Sequence, residues 1–248
     1  MIKMFTKTKS AAVIALSLLS MSVLNAQTWT PVPTGQGGNT FHLHFPSAKT
    51  GYVCGYDGLG VGTYLLKTTN RGNSYSTINL PTTSCYVGGV NFLNDTVGYA
   101  VGSKNVLNMI SKTTDGGNTW TNTYPVSSGA AMQLMDVDFY DANHGIAVGY
   151  YGAIFTTTDG GVTWNNNEFN PTYIYENVEY LDLNHIWMVG NTYPAVDSAW
   201  AYFSGDGGLT WQKKLKFYNP GYDAMWGISF PTLNDGWIVG SGNQIYHT

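Results

Sequence analysis

The feature that most constrains this chain is an eight-residue box that returns at a fixed interval. Thr113–Trp120 reads T-T-D-G-G-N-T-W, Thr157–Trp164 reads T-T-D-G-G-V-T-W, Ser204–Trp211 reads S-G-D-G-G-L-T-W, and a worn copy, T-T-N-R-G-N-S-Y, runs from Thr68 to Tyr75. The key positions Asn70, Asp115, Asp159 and Asp206 stand 45, 44 and 47 residues apart. A period of this size marks a propeller or a solenoid.

A second pattern keeps step with the first. A short run ends in an aromatic, and six residues later a G-Y-A-V-G type run begins. The pairs are Phe45 and Gly51, Phe92 and Gly98, Phe139 and Gly145, Tyr180 and Ile186, Phe230 and Gly236. Each unit therefore reads as four short strands, exemplified by Leu134–Tyr140, Gly145–Gly149, Ala153–Thr157 and Thr163–Asn166. Apolar and polar residues alternate within the runs, and no helical period shows beyond the N-terminal segment. The predicted class is all-β, a β-propeller of four-stranded blades with about five repeats visible.

The first 26 residues stand apart. Lys3, Lys7 and Lys9 precede an apolar run from Ala11 to Leu24 that ends in Leu-Asn-Ala. This is the pattern of a secretory signal peptide cleaved after Ala26. It leaves a propeller domain over residues 27–248 in an exported chain, whether secreted, periplasmic or cell-surface. At the far end, Gln244–Thr248 matches the strand that precedes a box, while Thr28-Trp29 matches the end of one. Either the N-terminal strand completes the last of five blades and removes free edges, or the chain is part of a larger propeller. The missing T-D-G-G favours the second.

Composition narrows the partners. Charged residues make up 10% of the chain against 15% aromatics and 30 glycines, so aromatic burial and backbone pairing must supply the stability. A net charge of -4 with Arg71 as the single arginine argues against nucleic acid and against an anionic membrane surface. No later stretch is long and apolar enough for membrane insertion, and a monomer is expected. Export permits a Cys54–Cys85 disulfide, although two buried free thiols fit the sequence equally well.

The box itself has a structural explanation. Gly116 and Gly117 suit a turn that needs positive φ. Asp115 can accept backbone N–H groups ahead of it in an Asx-type turn, closed by the hydroxyls of Thr113 and Thr119. Trp120, Trp164 and Trp211 then have rings to pack between blades. A residue that repeats once per blade, and is an amide at Asn70, is a turn holder and not a unique catalytic acid.

The box resembles the Asp-box, or BNR, repeat. The stretch F-Y-D-A-N-H-G-I-A-V-G-Y-Y-G-A-I-F-T-T-T-D-G-G-V-T-W, Phe139–Trp164, resembles the photosystem II stability/assembly factor-like propeller family. That resemblance implies a propeller that helps assemble a protein complex. It does not carry an activity, since the same box occurs in sialidases, endoglucanases and sortilin-type receptors. The family's namesake docks through an arginine-rich basic patch, whereas this chain has Arg71 alone and one lysine cluster, Lys213, Lys214 and Lys216.

Enzyme readings were weighed by their chemical requirements. A sialidase holds its substrate carboxylate with three arginines, which one arginine cannot supply. A glycosidase needs only two carboxylates, and Asp136, Asp138, Glu176 and Glu179 are on offer. Aligning the first strand of each repeat places His44, Asn91, Asp138, Glu179 and Ser229 at one position. His42, Gly89, Asp136, Asn177 and Gly227 share another.

Leu43, Val90, Val137, Val178 and Ile228 alternate with both sets and face the apolar side. If these strands are innermost, the polar set lines an axial channel, able to hold a cation or a sugar or simply to be solvated. His42 and His44 form an H-x-H pair that could give two ligands to a metal. Aromatic and Asn-rich stretches offer partner surfaces, among them Asn165-Asn166-Asn167 with Phe169, Tyr173 and Tyr175; Tyr193, Trp200 and Tyr202; and Tyr218, Tyr222 and Trp226.

The sequence therefore points to a non-catalytic binding or assembly module for a protein or glycan, without a cofactor. The alternative is a glycoside hydrolase using Asp136, Asp138 and Glu179 at the channel mouth.

Overall fold

Five antiparallel sheets follow one another along the chain in a computed structural model that describes residues 31–56, 62–127, 133–192, 198–217 and 224–248. The first blade is β1 (Asn39–His44), β2 (Gly51–Tyr56), β3 (Thr63–Thr68) and β4 (Ser76–Thr77). The second is β5 (Cys85–Phe92), β6 (Gly98–Lys104), β7 (Leu107–Thr113) and β8 (Thr121–Thr123). The third is β9 (Leu134–Phe139), β10 (Gly145–Gly149), β11 (Ile154–Thr157) and β12 (Asn165–Asn166). The fourth is β13 (Tyr173–Tyr180), β14 (Ile186–Thr192), β15 (Ala199–Ser204) and β16 (Gln212–Phe217). The fifth has three strands among the described residues: β17 (Met225–Ser229), β18 (Trp237–Gly240) and β19 (Ile245–His247).

Within each blade the strands pair in chain order, which makes every blade a meander. The first strands then lie side by side, β1 on β5, β5 on β9, β9 on β13 and β13 on β17. This is the β-propeller architecture. A short 3-10 turn, Tyr150–Gly152, links β10 to β11. No helix among the described residues is long and apolar enough to cross a membrane.

The last strand of a blade is shorter than its sequence pattern predicts: Thr163–Asn166 contracts to Asn165–Asn166. The reason is local. The N–H and hydroxyl of Thr163 both bond to Asp159, at 2.9 and 2.6 Å, so this residue belongs to the box turn and not to the ladder. Residues 1–26, expected to be a signal peptide, and Thr28-Trp29, Tyr193, Tyr218 and Tyr222 lie outside the described residues.

A small group, Val53, Tyr64 and Leu66 with Tyr75, is buried within blade one, and four apolar layers lie between blades. In the first, Tyr52, Cys54 and Leu65 meet Val90, Phe92, Ala100 and Met109, with Trp120 packed against them. The second joins Tyr99, Val101 and Ile110 to Val137, Phe139 and Phe155 with Trp164, and the third joins Ile146, Val148 and Ile154 to Val178, Ile186 and Met188 with Trp211. Phe92 stacks on Tyr52 at 3.4 Å and meets Trp120 edge-on at 6.3 Å. The arrangement recurs as Phe139 on Tyr99 at 3.9 Å with Trp164 edge-on at 6.0 Å. The edge-to-face contacts of Trp120 and Trp164 add about 0.5–1.5 kcal/mol beyond the buried area.

The fourth layer, between blades four and five, sets Val189, Ala199 and Ala201 against Met225 and Ile238. There Phe230 stacks on Trp187 at 4.9 Å.

Cys54 and Cys85 are both buried free thiols, so of the two readings left open by the sequence the structure has the unbonded one. The Cys54 thiol donates to the carbonyl of Gly88 at 3.6 Å and the Cys85 thiol to that of Thr82 at 3.1 Å. Burial pushes Cys54 up to about 12, which makes it an inert packing group and not a nucleophile.

Candidate functional site

Most polar positions of the inner strands reach sideways to a neighbouring blade. His44 Nδ1 accepts the backbone N–H of Phe92 at 3.1 Å, Asp138 Oδ2 accepts that of Tyr180 at 2.8 Å, and Glu179 Oε2 accepts that of Phe230 at 2.8 Å. Asn91 takes part through its side chain, donating to Asp138 Oδ1 at 2.8 Å. One level along, Asp136 Oδ2 accepts the N–H of Val178 at 3.0 Å, and Asn177 Oδ1 accepts that of Ile228 at 3.1 Å. Inner strands of different blades share no ladder with one another. Their facing N–H groups need acceptors, and these side chains supply them.

Glycine makes one longer link. His42 Nε2 sits 3.2 Å from Asp136 Oδ1, joining blade one to blade three across blade two. Blade two has Gly89 at that level, where a Cβ would stand 2.8 Å from the carbonyl oxygen of Met135 and 3.1 Å from Asp136 Oδ1. Any larger side chain there would push β5 away from β9.

Electrostatics follow from this packing. Asp136 is only 2% exposed and accepts from Asn177 at 2.6 Å as well as from backbone. His42 is held above its ordinary value, because Asp136 and then Asp138 outweigh the burial that opposes its charge. His44 is lowered by burial and by His42, in keeping with the lone pair it offers to Phe92. Burial pushes Asp138 up to about 6 and Glu179 up to about 7, against the backbone N–H groups that favour their charged forms.

Of the residues expected to line an axial channel, His42, His44, Asn91, Asp138 and Glu179 act as inter-blade links. Ser229, on the last inner strand, is exposed. As a metal pair, His42 and His44 have Nε2 of one and Nδ1 of the other already engaged, and no group of three or more potential ligands occurs among the described residues.

Glu176 has no such bond. It falls one residue before the Asn177 level, where a period of two would put it on the apolar face with Val178. The signal that marks it is a break in strand register between Tyr175 and Asn177, which appears only once β13 is paired with β14.

The Asp boxes lie at the outer turns. Asp115 Oδ1 accepts the N–H groups of Asn118 and Thr119 at 3.0 and 2.9 Å and the Thr113 hydroxyl at 2.8 Å, while Oδ2 accepts the Thr119 hydroxyl at 2.6 Å. Asp159 and Asp206 repeat the pattern with Thr163 and Thr210, and Asn70 with Ser74. The hydroxyl of Thr119 first, then its N–H, lowers Asp115 to about 2. Gly116 and Gly117 hold φ of 72° and 88°, a region that side chains resist. The preceding blade grips the turn: Lys67 Nζ donates to the carbonyl of Gly116 at 3.0 Å, and Lys112 Nζ to that of Gly160 at 2.7 Å.

Of the aromatic stretches, Tyr173, Tyr175 and Tyr202 are buried strand residues, not loop anchors. Lys213, Lys214 and Lys216 lie on β16, the outer strand of blade four, with Lys213 Nζ 3.7 Å above the ring of Trp200. Lysines on an edge strand discourage pairing with another sheet.

Box and blade together define an Asp-box β-propeller. It resembles the photosystem II assembly-factor propellers: a family model described as photosynthesis system II assembly factor YCF48 matches residues 124–191. Among solved structures, YCF48 bound to D1 peptide superposes with a TM-score of 0.45 at 16% identity, covering 89% of this chain and 97% of that one. The GH74 xyloglucanase from Xanthomonas campestris gives 0.65 at 12% identity over 90% of this chain and 39% of that one. A protein of unknown function from Dyadobacter fermentans gives 0.58 at 14% identity, covering 89% and 79%. At these identities the likeness is one of fold. No curated protein matches the chain.

Proposed function

We propose that this chain is an exported, non-catalytic propeller that binds a partner protein through one of its faces, as a binding or assembly module. The observation that carries the reading is the use made of the inner-strand acids. Asp136, Asp138 and Glu179 each hold a backbone N–H of a neighbouring blade, which commits them to the scaffold. The assembly-factor description of the matching family model supports the same class of role, and the apolar run after Lys9 supports export.

The test uses the purified chain as bait on the envelope fraction of its source, alongside assays on a panel of polysaccharides. Retention of a defined protein without release of reducing sugar is the expected result. A glycosidase is the second reading, favoured by Glu179, which burial raises to about 7, towards the range a general acid needs, beside Asp138 at about 6. Sugar release that disappears in Asp138→Asn would establish it and overturn the first.

A further inference from the structure

Every inner strand carries a β-bulge at one and the same level. The register with the second strand skips Phe41, Gly88, Met135, Glu176 and Trp226 in the five blades. A bulge leaves its extra residue unopposed and re-aims the side chain, which is why bulges gather beside functional sites. Four of the five positions are apolar or bare. The fifth is an acid.

Glu176 differs from the other inner-strand acids. No hydrogen bond or ion pair reaches it among the described residues; burial alone acts on it and pushes its carboxyl up to about 7. Tyr86 lies within electrostatic reach of Glu176 and of Tyr150. The Tyr86 ring is 6.1 Å from that of Phe41, which is in turn 6.4 Å from Tyr56. Phe41 is 47% exposed, and Trp226, on the strand that packs beside β13, is 58% exposed. Glu176 is half-buried, and a partly desolvated carboxylate without a partner is less favourable than one in water. A ligand that supplies the missing positive charge would offset that cost.

We propose that the bulge level of the inner strands binds the lysine or arginine side chain of a partner protein, with Glu176 as counter-ion and Phe41 and Tyr86 as the aromatic faces beside its stem. The proposal rests on the protein-binding reading above and names the chemistry of that site. An acidic segment would be repelled by Glu176, and a neutral one would leave it unpaired. A cation over an aromatic face gains about 0.5–2 kcal/mol, more as water is excluded, and the carboxylate adds a direct charge pair.

The experiment measures binding of a fluorescent decapeptide of alternating lysine and glycine, its arginine version and its fully acetylated lysine version, at 150 mM salt by polarisation. The lysine and arginine peptides should bind at least about 10-fold more tightly than the acetylated one, and Glu176→Gln should bring them down to its level. Phe41→Ala should weaken them about 3- to 5-fold. Asp235→Asn, an exposed acid elsewhere, controls for net charge and should leave affinity unchanged. A melting temperature of Glu176→Gln at or above that of the parent shows that the variant is folded.

Equal affinity for the acetylated peptide, no binding of any peptide, or unchanged affinity in Glu176→Gln overturns the proposal. A protein captured from the envelope fraction whose retention survives Glu176→Gln also overturns it, yet leaves the binding-module reading standing. Failure of the parent chain to capture any partner sinks both.

Discussion

The faces between blades and the faces at the two ends of the series use the same residue positions and meet opposite fates. Val90, Val137 and Val178 are buried between blades, whereas Leu43, at the same position of β1, is 61% exposed. Tyr99 is buried under Phe139, whereas Trp237, its equivalent in blade five, is 41% exposed and stacks on His247. Equivalent positions thus become core or surface according to what packs on them. Most of the buried apolar residues lie in the layers between blades, as in other repeat architectures, while Val53, Tyr64 and Leu66 form a buried group within blade one.

The comparison is most easily broken with tryptophan. Trp164→Ala should cost about 3–5 kcal/mol, while Trp237→Ala should stay within about 1 kcal/mol, both read by urea denaturation. Equal losses would mean that blade five is covered as fully as the others. Next in size is the acceptor layer. Asp136→Ala strands the Val178 N–H, the Asn177 amide and His42, and should cost about 2–3 kcal/mol. Ser229→Ala, at the exposed end of the same system, should lie within about 0.5 kcal/mol.

The pH dependence separates the inner layer from the boxes. Asp138, Glu176 and Glu179 have folded-state values of about 6, 7 and 7, above their ordinary carboxyl range. The folded chain therefore binds more protons than the unfolded one between about pH 4 and 7, and stability falls as pH rises through that window. The raised value of His42 acts in the same sense and the lowered one of His44 against it. A melting temperature that declines from pH 4.5 to 8, with a shallower decline in Glu179→Gln, is the expected result. The boxes work oppositely, since Asp115 and Asp159, held at about 2, withdraw their support only as pH drops below about 4. The smallest effect should come from Asp115→Asn, because Asn70 already serves in the first box with the same bond to the N–H four residues on. A slight drop in melting temperature is expected, well below that of Trp164→Ala.

Much of this was legible in advance because repetition is a strong signal. The spacing of Asp115, Asp159 and Asp206 announced the blades, and alternation in Met135–Phe139 separated Val137 from Asp136 and Asp138. The direction in which those acids reach was not legible. A period of two distinguishes the faces of a strand but cannot tell a solvent-filled axis from the backbone of the next blade, so His44 and Glu179 looked like channel lining. The bulges were hidden for a related reason: an extra residue shows only against a partner strand, and Glu176 therefore read as one acid among several.

The sequence by itself determined the period, the turn chemistry of the boxes and the alternation that makes each strand two-faced, because these are properties of short peptides with fixed φ preferences and side-chain periodicities. Only the tertiary structure decided which faces become core, which acids are bonded to a neighbour and which one is left over. Those outcomes depend on what stands opposite a residue some 40 to 50 positions away, such as Asp136 facing Val178 or Glu179 facing Phe230. For these inner-strand residues, burial and hydrogen-bond satisfaction are settled between blades.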